Sequence, residues 1–306
     1  MPAGSIHAQT TLFSEGFEDA SLAARGWYDN TNPILSSVEH VAGSARSAEF
    51  RFLPGKTVAV NGGALRRKFP PTESVYLSFY IKYSANWVGS QQTYHPHQFH
   101  FTTNLDADWV GPSFTRMTAY VEENGGIPLL AIQDGVNIDQ TRVNQNLVSI
   151  TEQRSVCGCN GDSDGSGKSN CYLMDAAVGL YYNGKEWRAP QAYFTNTAGP
   201  RYKADWHHIE AYFKLNSIVN GVGIADGAVK YIYDGQTVID RANLVLRTGA
   251  HPTMKYNQFI LAPYLGPGSP VDQAFWVDNL IVGDALPGSP APDALPPAKP
   301  KNLRAQ

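Results

Sequence analysis

The sequence carries little charge of either sign and contains no long apolar run. Charged residues make up only 17% of its 306 residues, with 24 Lys and Arg against 27 Asp and Glu, whereas about 25% is typical of a soluble domain. The formal net charge of −3 lacks the basic excess that marks nucleic-acid-binding proteins. No apolar stretch approaches the roughly 20 residues that a membrane-spanning helix needs. We therefore expect no nucleic acid and no membrane as partner, and we expect a monomer.

Cysteine is scarce, and all of it lies in one polar segment. A disulfide from Cys171 to either Cys157 or Cys159 would close this segment and leave one thiol over. The intervening Asn, Asp and Gly residues begin like a calcium-binding loop, but Cys171 stands where such a loop needs its closing glutamate. We interpret residues 160–170 as a flexible surface loop. Separately, the N-terminus resembles a trimmed leader, which predicts a secreted or periplasmic protein.

Helical periodicity is almost absent, whereas short alternating runs bounded by Gly, Pro, Asn and Asp occur along the whole chain. Such runs are typical of β-strands. Asp234-Gly235 separates two of them, as in a tight β-hairpin. Many strands and few helices predict an all-β fold, a two-sheet antiparallel β-sandwich of the jelly-roll type. We expect one domain over residues 11–285, a residual segment over 1–10 and a Pro-rich linker over 286–306.

Aromatic residues are abundant, with 16 Tyr, 13 Phe and 6 Trp. Tyr and Trp stack on the C–H faces of sugar rings while their polar tips remain hydrated. This composition suits a protein that binds carbohydrate. It also suits a large β-sandwich that uses aromatic rings to fill its core.

Acidic residues lie in both the first and the last predicted strand. These two strands usually pair in a sandwich of this type, which would bring Glu15, Glu18 or Asp19 near Asp278. Clustered carboxylates are typical ligands of a structural calcium ion. The alternative is a set of solvated, metal-free carboxylates at a sheet edge.

The run 206–215 separates two sets of side chains, because alternate residues of a strand face opposite sides. The apolar set, which we assign to the core, is His207, Ile209, Ala211, Phe213 and Leu215. The polar and aromatic set, which we expect to line a substrate groove, is Trp206, His208, Glu210, Tyr212 and Lys214.

The same alternation applies to three further strands. It assigns to the core the residues Leu65, Phe69, Phe99, Phe101, Phe259 and Leu261. It assigns to a polar face the residues Arg66, Lys68, Gln98, His100, Tyr256 and Gln258. Arg, Gln and His can neutralise a uronate carboxylate and so acidify the neighbouring C–H. Tyr or His can then act as base and acid. This combination suits β-elimination and requires no catalytic metal or cofactor.

Three of these segments resemble the signature of the concanavalin A-like jelly-roll polysaccharide lyases, of the alginate and glucuronan lyase type. Those enzymes carry an Arg-rich strand, then Gln-Ile-His, then a late strand with Lys, Tyr and Gln. The corresponding segments here, in the same order, are Arg66-Arg67, Gln98-Phe99-His100 and Lys255-Tyr256-Asn257-Gln258.

The resemblance implies a concanavalin A-like fold, an acidic polysaccharide as substrate and a role for each matching residue. Gln98 and His100 match the pair that binds the carboxylate and acts as base, and Tyr256 matches the catalytic tyrosine. Of the matching pair Arg66-Arg67, alternation selects Arg66 as the partner for the carboxylate. From their place on the same polar face, we expect Lys68 and Gln258 to bind the substrate.

Three alternatives remain open at this stage. A non-catalytic carbohydrate-binding module would present a row of exposed rings, for which the candidates are Trp87, Trp109, Tyr120 and Trp187. A glycoside hydrolase needs two carboxylates about 5–5.5 Å apart on one face, whereas Glu122 and Glu123 are adjacent and face opposite sides. A metal enzyme would use His95, His97 and His100, although only the first two share a strand face.

Overall fold

The structure is a computed structural model that describes residues 10–91, 97–104, 117–134, 185–247, 249 and 252–288. Several sequence-based predictions fall elsewhere. The three cysteines with their loop, His95, Trp109, residues 1–9 and most of the predicted linker lie outside the described residues. The disulfide, the two terminal segments and the domain limits therefore stay predictions.

The described residues form two large antiparallel sheets and a small two-stranded one. The strands are β1 Thr11–Glu15, β2 Trp27–Asp29, β3 Ile34–Ser36, β4 Ser47–Phe52, β5 Leu65–Thr72, β6 Ser74–Tyr83, β7 His97–Thr103, β8 Met117–Asn124, β9 Ile127–Asp134, β10 Lys185–Arg188, β11 His207–Lys214, β12 Ile218–Val219, β13 Val222–Gly223, β14 Gly227–Tyr233, β15 Gln236–Leu244, β16 Tyr256–Tyr264 and β17 Gln273–Gly283. Among these residues the one helical element is the single turn Ala23–Arg25. No helix within the described ranges is long and apolar enough to cross a membrane.

The first sheet has the strand order β15-β14-β11-β6-β17-β4-β3, with β1 also paired to β17. The second sheet has the order β10-β9-β8-β7-β16-β5-β2. The core lies between them, where alternate side chains of both sheets meet, as in the contact of the Phe79 and Phe99 rings at 4.2 Å between centroids. The predicted all-β, two-sheet antiparallel jelly roll is confirmed.

Local signals account for two features of this fold. Strand β11 alternates strictly between buried and half-buried residues, and its apolar set faces the core as predicted. The hairpin between β14 and β15 turns at Asp234 and Gly235, whose φ angles are 46° and 78°. Two successive positive φ values are typical of the turn that suits the twist of paired strands, so the predicted hairpin is confirmed.

Strands β1 and β17 pair as expected, but an arginine lies beside the first carboxylates. The buried Glu15 accepts hydrogen bonds from Arg25 Nε at 2.8 Å and Nη2 at 2.9 Å. Asp19 accepts one from Arg25 Nη1 at 2.7 Å. The guanidinium therefore takes the place beside Glu15 and Asp19 that a calcium ion was expected to take, and these two residues do not fit a cation site.

The other two carboxylates predicted to bind calcium, Glu18 and Asp278, accept hydrogen bonds from the loop that contains Val41 and Ala45. Glu18 accepts hydrogen bonds from Ala45 N, and Asp278 accepts one from Val41 N at 2.9 Å. Burial raises the pKa of Asp278, and the nearby Glu18 carboxylate raises it further. No group of three or more His, Cys, Asp or Glu suited to a metal ion occurs among the residues that the structure describes. Calcium at Glu18 and Asp278 stays a prediction.

Candidate active site on the outer face of the second sheet

A polar surface covers the side of the second sheet that faces away from the core. The register places Tyr28, Arg66, Ile260, His100 and Tyr120 opposite one another on successive strands. The next row, two residues along, contains Lys68, Gln258, Thr102 and Thr118. We call the polar members of these two rows the Arg66 face. Phe101 and Phe259, one residue away on their strands, point into the core, so alternation directs the Arg66 face outward.

Arg66 is the buried cation of this face, with 6% of its surface exposed. Its Nε atom lies 2.7 Å from Oδ2 of Asp29, the last residue of β2. Burial lowers the pKa of the Arg66 guanidinium, while the neighbouring Asp29 and Tyr28 raise it. An arginine stays protonated under such conditions. The Arg66 face therefore contains a fixed positive charge that Asp29 orients.

Gln258 connects three strands of the sheet. Its Oε1 atom accepts a hydrogen bond from the Tyr28 hydroxyl, and its Nε2 atom donates one to Thr102 Oγ1 at 3.0 Å. Gln258 and Thr102 are buried, whereas Tyr28 is half-buried. Burial raises the pKa of Tyr28, and the nearby Arg66 lowers it. These bonds fix the orientation of the amide and hold the Tyr28 hydroxyl over β16.

His100 lies in the middle of the Arg66 face and contacts Tyr120 on β8. The two rings meet edge to face, with 4.6 Å between their centroids and 65° between their planes. Both residues are buried. Thr102, which bonds Gln258, is two residues from His100 on the same strand and the same side. Four of the six residues predicted for the polar face, Arg66, Lys68, His100 and Gln258, are thus brought together.

Gln98 does not share this face, which corrects the prediction made from alternation. Its amide nitrogen lies 3.3 Å from the hydroxyl of Tyr83, a core residue of the first sheet. Gln98 also lines a small cavity between the sheets. The pairing of β7 with β16 is irregular between Leu261 and Tyr264. The extra residue lies on β16, between its partners for Phe99 and His97, and Gln98 faces inward beside this irregularity.

Tyr256 is also displaced from the predicted face. Its side chain is fully buried in the core and its ring meets that of Phe101 at 6.3 Å between centroids. The register of β16 shifts between Tyr256 and Gln258 against both neighbouring strands. A β-bulge inserts one unpaired residue and reverses the side to which the preceding side chain points. The bulge at Asn257 therefore separates Tyr256 from His100 and Gln258.

We expect Tyr256→Phe to leave activity unchanged and the free energy of unfolding unchanged or higher by about 1 kcal/mol. The Tyr256 hydroxyl is buried and has no hydrogen-bond partner among the described residues, and burial strongly raises its pKa. Tyr233→Phe is the matched control, because the Tyr233 hydroxyl contacts His207 Nδ1 at 2.7 Å. Urea unfolding should show a loss of about 1–2 kcal/mol for the control. A comparable loss for Tyr256→Phe would contradict the assignment.

The four residues of β11 predicted to bind substrate lie on the opposite side of the molecule. His208, Glu210, Tyr212 and Lys214 share one side of their strand, as predicted, but β11 belongs to the first sheet. There Ser78 Oγ lies 2.7 Å from His208 Nε2, and Tyr76 donates to Glu210 Oε1 at 2.5 Å. The core separates this surface from the Arg66 face, so these four residues do not line the same groove as Arg66 and His100.

The structure also places the residues proposed for a carbohydrate-binding module, a glycoside hydrolase and a metal enzyme. Trp87 and Tyr120 are buried and Trp187 is half-buried, so these rings do not form an exposed row. Glu123 points into the core, where it accepts a hydrogen bond from Trp87 Nε1 at 3.2 Å and burial raises its pKa. The side chain of His97 lies outside the described residues.

The sequence analysis did not assign four residues that lie on or beside the Arg66 face. They are Tyr28, Asp29, Thr102 and Tyr120. Tyr120 had attracted notice only as an aromatic residue. Tyr28 and Asp29 belong to a strand of three residues, which is too short to show alternation.

Comparison with known proteins identifies the fold. No protein-family model matches the chain, and no curated protein matches it either. Among solved structures, the marine PL-14 alginate lyase from Aplysia kurodai is 12% identical, with a TM-score of 0.55 over 89% of this chain and 98% of that one. Alginate lyase vAL-1 from Chlorella virus is 12% identical, with a TM-score of 0.53 over 90% and 99%. The endo-β-1,4-glucuronan lyase from the fungus Trichoderma reesei is 15% identical, with a TM-score of 0.51 over 90% and 96%. The chain therefore has the fold that these polysaccharide lyases share, a concanavalin A-like jelly roll.

Proposed function

We propose that this protein is a lyase that cleaves an acidic, uronic-acid-containing polysaccharide by β-elimination at the Arg66 face. The proposal is based mainly on one observation. The buried Arg66, His100 and the hydrogen bond between Tyr28 and Gln258 all lie on the same side of the second sheet. The shared fold with alginate and glucuronan lyases supports it. An enzyme encounters a polysaccharide substrate outside the cytoplasm, so we also propose a secreted or periplasmic location.

The first requirement of the reaction is a neutralised carboxylate. A uronate C5 proton becomes acidic only when the negative charge next to it is balanced in the developing enolate. Arg66 is a fixed cation whose guanidinium can form paired hydrogen bonds to a carboxylate. Its burial strengthens this interaction because the surrounding dielectric constant is low. Lys68, which is exposed in the next row, adds a second positive charge for the polymer.

The second requirement is a base for the C5 proton. Histidine is the side chain that most readily accepts a proton near neutral pH. His100 lies two strands from Arg66 in the same row, a separation of roughly 10 Å between backbones. A sugar ring bound with its carboxylate at Arg66 fits within this distance. We assign His100 as the base.

A panel of polyuronates tests the proposal. The purified protein should convert at least one of them to products with a C4=C5 double bond, which absorb near 235 nm. His100→Ala should lower that rate by about 100-fold or more, as is typical for the loss of a general base. His40→Ala is the matched control and should keep the wild-type rate, because His40 lies on the loop next to Val41 and away from the face. Binding of a polyuronate without any product would contradict the lyase and favour a non-catalytic binding module.

A further inference from the structure

The Tyr28 hydroxyl occupies a central position although its backbone is at the edge of the sheet. Strand β2 pairs with β5, and β5 pairs with β16. The Tyr28 hydroxyl nevertheless bonds Gln258, which is on β16. The Tyr28 side chain therefore crosses over β5 beside Arg66, and its polar end reaches the interior of the Arg66 face.

The hydrogen-bond network also sets the direction of the Tyr28 proton. Gln258 Nε2 is committed to Thr102 Oγ1, so the amide oxygen faces Tyr28 and the phenol must donate. Thr102 and His100 are two residues apart on one strand, which corresponds to roughly 7 Å. The Tyr28 hydroxyl thus lies near enough to Arg66 for its charge to act on it, and it is bonded to the row that neighbours His100 on the same face.

Two other tyrosines near this region are poorer candidates for proton transfer. Tyr256 lies in the core on the other side of the sheet. Tyr120 lies on β8, on the side of His100 away from Arg66, and so not between the two. Tyr28 is half-buried and keeps part of its surface accessible to a substrate. The phenol of Tyr28 is protonated at neutral pH, as an unperturbed tyrosine is, and burial keeps its pKa from falling.

We propose that Tyr28 is the catalytic acid that protonates the leaving glycosidic oxygen; this inference rests on the lyase function proposed above. His100 accepts the C5 proton, and the C5–H electron pair forms the C4=C5 double bond. The C4–O bond breaks, and its electron pair takes the proton from the Tyr28 hydroxyl, which gives up its hydrogen bond to Gln258 Oε1 in this step. The resulting phenolate is then protonated from the imidazolium of His100 through solvent, which restores both residues.

A change of leaving group separates this role from a structural one. Tyr28→Phe should lower kcat on the polymer by about 100-fold or more while changing KM by less than about threefold. On a synthetic uronate that carries 4-nitrophenoxide at C4, the leaving oxygen needs no proton. There Tyr28→Phe should react within about threefold of wild type, whereas His100→Ala should remain impaired on both substrates. Tyr80→Phe, a half-buried tyrosine on the outer face of the first sheet, is the control and should match wild type.

The outcomes distinguish this inference from the proposed function. A wild-type protein that forms no unsaturated product from any polyuronate overturns the lyase assignment itself. An active wild type whose Tyr28→Phe variant is equally active on the polymer overturns only the role of Tyr28. Equal losses on the polymer and on the nitrophenoxide substrate would also overturn it, because they would show that Tyr28 acts by shaping the site.

Discussion

Arg66→Gln is expected to lower the rate of β-elimination by about a thousandfold. Removal of one uncharged donor to a developing oxyanion costs about 10²–10³ in kcat, and Arg66 supplies a full charge. The neutral glutamine can still donate a hydrogen bond, but it cannot balance a carboxylate that is becoming an enolate. Arg66→Lys should lower the rate of β-elimination less, by about ten- to a hundredfold. Lysine keeps the positive charge but cannot form the paired hydrogen bonds of a guanidinium.

The salt bridge to Asp29 makes a sharper control possible. Arg66→Gln leaves the Asp29 carboxylate without the cation that lies 2.7 Å away, so part of any loss could reflect a weaker fold. The double variant Arg66→Gln with Asp29→Asn removes both charges and should recover the free energy of unfolding measured by urea titration. It should not recover the rate at 235 nm. Recovery of activity in the double variant would show that Arg66 has no direct role in the chemistry.

Most of the polar face could be predicted because its strands are regular. Leu65 and Phe69 in β5 and Phe99 and Phe101 in β7 mark the inner side of their strands, and Arg66 and His100 were assigned to the outer side on that basis. The assignment of Gln258 also holds, since Phe259 next to it is a core residue. The hydrophobic residues fix the side to which their neighbours point, and this information is local to each strand.

The failures at Gln98 and Tyr256 both occur beside irregularities of β16, and only the failure at Tyr256 follows directly from an inserted residue. Each residue lies where the pairing of β16 with a neighbouring strand changes register. One inserted residue reverses the facing of everything beyond it, and no feature of the sequence around Asn257 marks the insertion. The prediction therefore carried the regular alternation of β16 across a bulge, whereas the inward orientation of Gln98 on β7 has no counterpart in an inserted residue of its own strand.

The placement of β11 failed for a different reason. Its alternation was interpreted correctly, but alternation does not reveal which sheet a strand joins. That depends on long-range pairing, and β11 lies between β6 and β14 in the first sheet. Tyr28 and Asp29 were missed for a further reason, because their strand of three residues is too short to show alternation, and it joins the second sheet at its edge, beside β5.

Glu15→Ala is expected to lower the free energy of unfolding by about 3 kcal/mol, the largest loss of stability that we predict. Removal of one partner of a buried ion pair typically costs 3–5 kcal/mol, and the partial exposure of Arg25, at 32% of its side chain, places the value at the lower end. Besides Arg25, Glu15 accepts hydrogen bonds from Trp27 Nε1 at 3.0 Å and from Phe17 N at 2.9 Å. Asp19→Ala is the matched control, since Asp19 binds the same arginine at the surface, and it should change stability little.

The same substitution should also reduce activity at temperatures where the protein is still folded. Trp27 is the first residue of β2, and the two residues that follow it are Tyr28 and Asp29. The bond from Trp27 to Glu15 anchors this strand to the core, so its loss lets β2 shift and moves both Tyr28 and Asp29 relative to Arg66. Activity measured well below the unfolding midpoint should therefore fall in Glu15→Ala and not in Asp19→Ala. If the two variants kept the same activity at that temperature, the anchoring of β2 would have no part in the assembly of the Arg66 face.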